Sequence, residues 1–214
     1  MKREPRLTKK ERRAARPIPE NEVFKASFHG RELPVPYVAA WTSEMPNYIV
    51  RPEPLLGGKL ALFRASGHRG EGDPIFGKMD VGRQRLCILR GICQVCGEPI
   101  EGPRWMALLV EHASLPNGQE LPAVREPPTC TLCLRTSLRF CPGLRRARPF
   151  IVEPAKITTI MTLTTPPPGG CGPLDDTVEP LPPERLEDAV IGYLKIVVQR
   201  VHRRLTTDQF MALT

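Results

Sequence analysis

Two close pairs of cysteines constrain this chain more than any other feature. Cys93-Gln94-Val95-Cys96-Gly97 is followed by thirty-two residues, then by Cys130-Thr131-Leu132-Cys133, and the stretch closes with Phe140-Cys141-Pro142. A two-residue spacer lets both sulfurs of a pair reach one metal from a tight turn, and tetrahedral zinc takes four soft ligands at ~2.3 Å. Gly97 suits such a turn because glycine accepts a positive φ. The spacing predicts one structural zinc ion held by Cys93, Cys96, Cys130 and Cys133. The competing reading is a set of buried or redox cysteines. Cys87, Cys141 and Cys171 are left over from an odd total of seven, which fits a reducing cytosol better than a disulfide scaffold. Cys87 and Cys141 are expected in the core, and Cys171 in a loop away from the metal.

The two pairs sit in different surroundings. Apolar runs flank the first, which suits a knuckle feeding a β-hairpin with 105–110 as one strand. The second opens a helical pattern of Leu132, Leu134, Leu138 and Phe140, with Arg135 and Arg139 four apart on one face and Thr129 as the expected cap. Thiolates in a first helical turn are favoured by the free N–H groups and the dipole. A knuckle, a hairpin and a ligand pair at a helix start resemble the treble-clef superfamily of zinc domains.

A narrower resemblance rests on four strings. These are Met79-Asp80, Arg83-Gln84-Arg85, Cys93-Gln94-Val95-Cys96-Gly97 and Ser137-Leu138-Arg139-Phe140-Cys141-Pro142-Gly143-Leu144. They resemble uncharacterised actinobacterial and actinophage zinc-binding proteins, in many of which a His stands at the position of Cys130. The resemblance covers 74–148. It implies a fold and a metal, and it implies no activity.

Charge bounds the choice of partner. The formal net charge is +8, and residues 1–16 hold eight Lys or Arg against two Glu, which is +6 and leaves +2 for the rest. Such a tail is either an arm for nucleic acid or another anionic surface, or a solubilising terminus. No run approaches the ~20 apolar residues of a membrane span, and no apolar segment follows the basic start, so neither a spanning helix nor a secretory signal is expected. A cytoplasmic location is expected, or a virion-associated one if the chain is phage-encoded.

The 25 prolines argue for turns and edge strands rather than an all-helical protein. The fold class expected is α+β, with small antiparallel sheets, the zinc module and a long C-terminal amphipathic helix. Four intervals are expected. Residues 1–21 form a disordered basic tail and 22–73 a β-rich segment. The zinc module takes 74–148, and 149–214 carry a β segment, a Pro/Gly loop and the last helix. Within them, 23–40 read as a hairpin turning at His29-Gly30-Arg31-Glu32, and 60–63 as a short strand. Trp41, Tyr48 and Ile49 are expected against the core, and 66–73, with His68 and Asp73, as a solvated loop. Asp80 would cap a helix over 81–90. Pro116-Asn117-Gly118 would be a turn, 119–128 an irregular connection, and 150–165 β-structure interrupted at Pro154. A helix over 183–205 would carry Leu186, Val190, Tyr193, Leu194, Val197, Val198, Val201 and Leu205 as its apolar stripe, with His202 exposed.

Four cysteines complete a tetrahedron and leave no open position, so hydrolysis by a metal-bound water is not expected. A His-Asn-His nuclease often shares the treble-clef frame. Glu111-His112 follows the hairpin strand suggestively, yet the helix over 131–141 contains neither His nor Asn, so such a nuclease would be degenerate and His112 reads as an ordinary hairpin residue. No catalytic residue is assigned. The leading expectation is a non-enzymatic zinc-stabilised interaction or assembly protein with a protein partner. The alternative is a DNA- or RNA-binding zinc protein using Arg135, Arg139, Arg145, Arg146, Arg148 and the basic tail. Arginines on a metal-held helix meet phosphates at little ordering cost. Against it, aromatics are not interleaved with these arginines, so base stacking lacks a platform in the sequence.

Overall fold

The computed structural model describes residues 24–28, 31–45, 47–108, 111–114, 118–173 and 189–213. Strands come first in the chain: β1 (Lys25–Phe28), β2 (Arg31–Pro34), β3 (Ala39–Trp41), β4 (Asn47–Glu53), β5 (Lys59–Arg64) and β6 (Pro74–Met79). Helix α1 (Val81–Arg90) leads into the cysteine region, which holds β7 (Met106–Leu108), β8 (Glu111–Ser114), β9 (Glu120–Val124), α2 (Thr131–Phe140) and α3 (Pro142–Ala147). The chain continues through β10 (Phe150–Thr164), β11 (Cys171–Pro173), β12 (Val190–Leu205) and a short α4 (Thr207–Met211).

The fold is mixed α+β. Two small antiparallel sheets, β1–β2 and β3–β6, accompany a larger sheet in the order β11-β4-β5-β12-β10-β7, to which β9 is joined through β12 and β8 through β9. The turn of the first hairpin lies at 29–30, outside the described residues. Arg31 and Glu32, expected in that turn, stand on β2 instead, with Phe28 opposite Arg31. Trp41 and Tyr48 are buried as expected, and Phe24 packs edge-on to Trp41 at 5.3 Å between ring centroids. Asp80 caps α1 by accepting the Arg83 N–H at 2.7 Å, and His68 and Asp73 are exposed.

The expected long C-terminal helix is not there. Residues 190–205 form β12, paired antiparallel with β10 from Ile151↔Leu205 to Thr164↔Val190, and the terminal helix α4 is short. The apolar stripe misled because β12 is covered on both faces over its first half, where Val190, Ile191, Leu194, Ile196, Val197 and Val198 are all buried. A strand buried on both faces loses the period-two signature. Pro182, Pro183 and the helix start proposed there lie outside the described residues. Residues 119–128 are also more regular than expected. Glu120–Val124 form β9, and Pro122 is tolerated because β12 pairs only with Ala123 and Val124. Of the expected 105–110 strand, Met106–Leu108 form β7, which pairs with β10, and 109–110 lie outside the described residues; the hairpin of this region is β8–β9. Pro154 falls among register shifts in the β10–β12 ladder, as the expected interruption.

Pairings link the three intervals that the described residues cover. β3 pairs with β6, β5 and β9 pair with β12, and β7 pairs with β10. Helix α1 closes a gap in this arrangement. On one edge β12 meets β5 at Ile191 and β9 at Ile196–Val197, and side chains of α1 serve the backbone between. Gln84 donates to the Leu194 and Arg125 carbonyls at 2.7 Å each and accepts the Leu194 N–H at 3.1 Å. Arg85, fully buried, donates to the Gly192 carbonyl at 2.8 Å, the Leu62 carbonyl at 2.7 Å and Glu53 at 3.2 Å. Arg83 forks onto Glu44 at 2.6 and 2.8 Å and reaches the Ala39 carbonyl. One helical turn thereby fastens three stretches of sheet.

Candidate metal centre

The first cysteine pair follows directly from the end of α1. Gly91 takes a left-handed φ of 67° at the C-cap, and the chain turns back so that Ile92 bridges Pro99. Between them the Gly97 N–H donates to the Cys93 carbonyl at 2.9 Å and the Cys93 N–H to the Glu98 carbonyl at 2.8 Å. Gly97 has a φ of 77°, and a Cβ there would meet the Tyr37 ring at 2.8 Å, so both conformation and space select glycine. The N-terminal segment steadies the loop from outside. The Tyr37 and Val38 N–H groups donate to the Val95 and Gln94 carbonyls.

The second pair arrives on the start of α2. Trp105 and Thr129 exchange backbone hydrogen bonds at 2.9 and 3.0 Å, and the Gln94 N–H donates to the Pro128 carbonyl. The helix cap is Cys130 rather than the expected Thr129, whose hydroxyl instead accepts from the Gln94 amide at 2.9 Å. Trp105 donates through its indole to the Thr131 hydroxyl, and its ring packs against Leu134, Leu138, Ile151 and Phe210. Leu134 and Leu138 are thus the buried face of α2, whereas Leu132, expected in the apolar pattern, is exposed.

The sulfurs of Cys93, Cys96, Cys130 and Cys133 all lie within 4.8 Å of one another, close enough to hold one metal ion. Among the described residues this is the one such group of His, Cys, Asp or Glu. The Cys93 thiol is drawn down to about 5 because Cys133 hydrogen-bonds to its sulfur. Burial opposes that shift, and N–H groups of Cys130, Cys96 and Val95 assist it. The Cys130 N–H stands 3.4 Å from the Cys93 sulfur. Cys96 is pushed up to about 11, chiefly by burial, and Cys133 is pushed up by its hydrogen bond to Cys93 and then by burial. The shifts run in opposite directions, Cys93 down and Cys96 and Cys133 up, because crowded thiols cannot all ionise together. A divalent metal would offset that repulsion.

Cys87 is buried, as expected, and burial pushes its thiol up to about 12. Cys141, expected in the core, is exposed, because α2 ends there and α3 begins. Cys171 heads β11, and its side chain lies outside the described residues, as does that of His112 on β8.

Of the five arginines singled out by the sequence, Arg135 is half-buried on α2 and the other four are exposed. Arg148 ends α3 with a φ of 44° and pairs with Asp208 of α4 at 2.6 Å. The sequence reading missed a second set. Arg200, Arg203 and Arg204 are exposed on the last part of β12. Arg204 lies over the Phe150 ring at 3.9 Å, and Arg203 pairs with Glu153 at 3.3 Å. The Thr207 hydroxyl donates to the Pro149 carbonyl, so the end of β12 is fastened beside the end of α3. At the end of the expected helix over 183–205, nothing would have brought these three arginines beside α3.

No helix among the described residues is long and apolar enough to cross a membrane. Compared with protein-family models, with curated proteins and with solved structures, the chain finds no match in any of the three.

Proposed function

We propose that this chain is a non-enzymatic, zinc-stabilised binding protein that presents an arginine surface to nucleic acid. Zinc suits the four thiols, since ~2.3 Å bonds from a tetrahedral centre place sulfurs ~3.8 Å apart. The order of knuckle, strands and helix start is treble-clef-like. The likeness to actinobacterial and actinophage proteins is carried by the strings quoted above, and two of them have structural work in this chain. Asp80 caps α1, and Arg83, Gln84 and Arg85 fasten the sheets. A four-thiol shell leaves the metal no open position, and α2 offers no His or Asn to a second cation, so a nuclease is not proposed.

The observation that carries the reading is that the end of β12 and the α4 that follows it are fastened beside the end of α3. Arg139, Arg145, Arg146 and Arg148 come from the metal-anchored helices, and Arg204 from β12. The fold also supplies the aromatic that the sequence lacked, since Phe150 is exposed beneath Arg204. Guanidinium planes and exposed rings suit phosphates and stacked bases respectively.

Fluorescence anisotropy with labelled single-stranded DNA, duplex DNA and RNA over a salt series tests this. Replacing Arg139, Arg145, Arg146 and Arg204 by Ala should weaken binding at least about tenfold and flatten the log–log salt slope by roughly three. Wild-type protein that binds none of the three at low salt overturns the reading. A second reading, a protein-interaction module, is favoured by a cleft of about 410 Å³ between β6, the knuckle and α2, lined by Val38, Phe76, Val95, Leu134 and Leu144 among others. There the quadruple variant would keep its partner.

A further inference from the structure

The second half of β10 is an open edge. β12 pairs along one side of it, whereas β7 takes only Phe150–Val152 on the other, and no further strand among the described residues meets 153–164 there. Natural edge strands are blunted by charges, prolines or bulges. In this edge the sole charged residue between Pro154 and Pro166 is Lys156. The irregularity near Thr162 places its extra residue on β12, where Gly192 and Tyr193 lie between the partners of Met161 and Leu163. β10 carries one extra residue of its own, Ala155, between the partners of Pro154 and Lys156, and from Ile157 on it keeps a strict alternation, with Ile157, Thr159, Met161 and Leu163 exposed and the residues between them half-buried.

The exposed set lies on the core face. Ile157, Thr159 and Met161 stand opposite Val198, Ile196 and Leu194, which belong to the buried cluster beneath α1. The core face therefore runs on past the helix onto β10, where Ile157 and Leu163 are each 39% exposed and Met161 is 37% exposed.

We infer that this edge pairs with the same edge of a second copy of the chain, antiparallel about a two-fold axis at Ile160. The sequence around Ile160 is nearly palindromic in character. In this register Ile157 faces Leu163 of the other copy, Thr158 faces Thr162, Thr159 faces Met161, and Ile160 faces Ile160. Lys156 faces Thr164, so no like charges meet, and Pro154 and Pro166 close the ladder symmetrically at both ends. A shift of one residue in register would turn apolar side chains of one copy to the face opposite those of the other. The two-residue shift centred on Met161 would set Ile157 and Leu163 against threonines. The pairing joins two sheets into one and sets the two apolar strips side by side on the same face. Self-pairing is isologous, so it closes at two copies instead of growing. It stands independently of the nucleic-acid reading.

Sedimentation velocity of the full zinc-loaded chain, from about 1 to about 500 µM, should show a concentration-dependent dimer. The double variant I157K/L163K sets Lys against Lys twice across the axis and should weaken the dimer about a hundredfold. The variant I157E/L163K sets Glu against Lys twice and should return to within about tenfold of wild type. Within one chain these positions are roughly 20 Å apart, so the monomer gains nothing from the exchange. Zinc content and thermal midpoint, read for each variant, confirm that it folds, and Thr159→Lys serves as a single-site replacement should a double variant fail, with about tenfold weakening expected. A wild-type monomer throughout the range, an undiminished dimer in I157K/L163K or in a substituting T159K, or equal weakening by I157K/L163K and I157E/L163K would each overturn the pairing.

Discussion

At Cys93 a single sulfur receives hydrogen bonds from Cys133 and from three backbone N–H groups, which favours the thiolate that a metal requires. Six residues earlier, on α1, Cys87 meets the opposite environment. It is fully buried and its thiol is pushed up to about 12, so about 10⁻⁴ of it is ionised at pH 8. Reactivity should follow these surroundings. Iodoacetamide at pH 8 should label Cys141 in the zinc-loaded protein and leave Cys87 and the four clustered cysteines unmodified. After chelation the four should become reactive, and peptide mass spectrometry reads each site. Rapid labelling of Cys93 or Cys133 before chelation would count against a metal held by these thiols.

At the scale of the element, α1 works as a substitute strand. Gln84 serves both backbone groups of Leu194 inside the core and the Arg125 carbonyl at its margin. An apolar replacement of the same size would leave buried donors and acceptors without partners, each costing ~1–3 kcal/mol. Gln84→Leu should therefore lower the unfolding free energy by about 3 kcal/mol in a urea titration. Gln84→Glu should also destabilise, because a carboxylate cannot donate to the two carbonyls. A stability within about 0.5 kcal/mol of wild type for Gln84→Leu would mean that the backbone of β12 finds other partners.

For the whole molecule, the strands lying between the two cysteine pairs belong to the large sheet. β7 pairs with β10, and β9 pairs with β12. Metal ligation contributes directly to folding free energy in small zinc-held regions. Here the strain of losing it should pass into the sheet. Hydrogen exchange with and without chelator should show protection falling together in β7, β9, β10 and β12. Loss confined to 93–148 would show instead that the metal region opens as a separate unit.

The cysteine cluster was legible in the sequence because the aim of each pair is a local property. Two residues of spacing, a glycine and a helix start suffice to aim each pair, and the four sulfurs then meet at one point. Helix α1 was legible for the same reason, with Asp80 capping its start and Gly91 its end. The first hairpin followed from alternation and turn residues, and the short strand read at 60–63 runs over Lys59–Arg64. Segment 190–205 was different. Its apolar residues fit a helical stripe, yet Val190, Ile191, Ile196, Val197, Val198 and Val201 are β-branched and suit a strand equally well. What decided between them was a partner forty residues away. β10 offered a continuous ladder, with β5, β9 and the side chains of α1 on the other side. The same pairing carried Arg203 and Arg204 to the surface beside α3 and left one long edge of β10 without a strand among the described residues. Local chemistry thus determined the cysteine cluster and the caps of α1. Which face of the molecule is basic and which edge is free depended on long-range strand pairing, whose free energy comes from contacts that no local stretch of sequence contains.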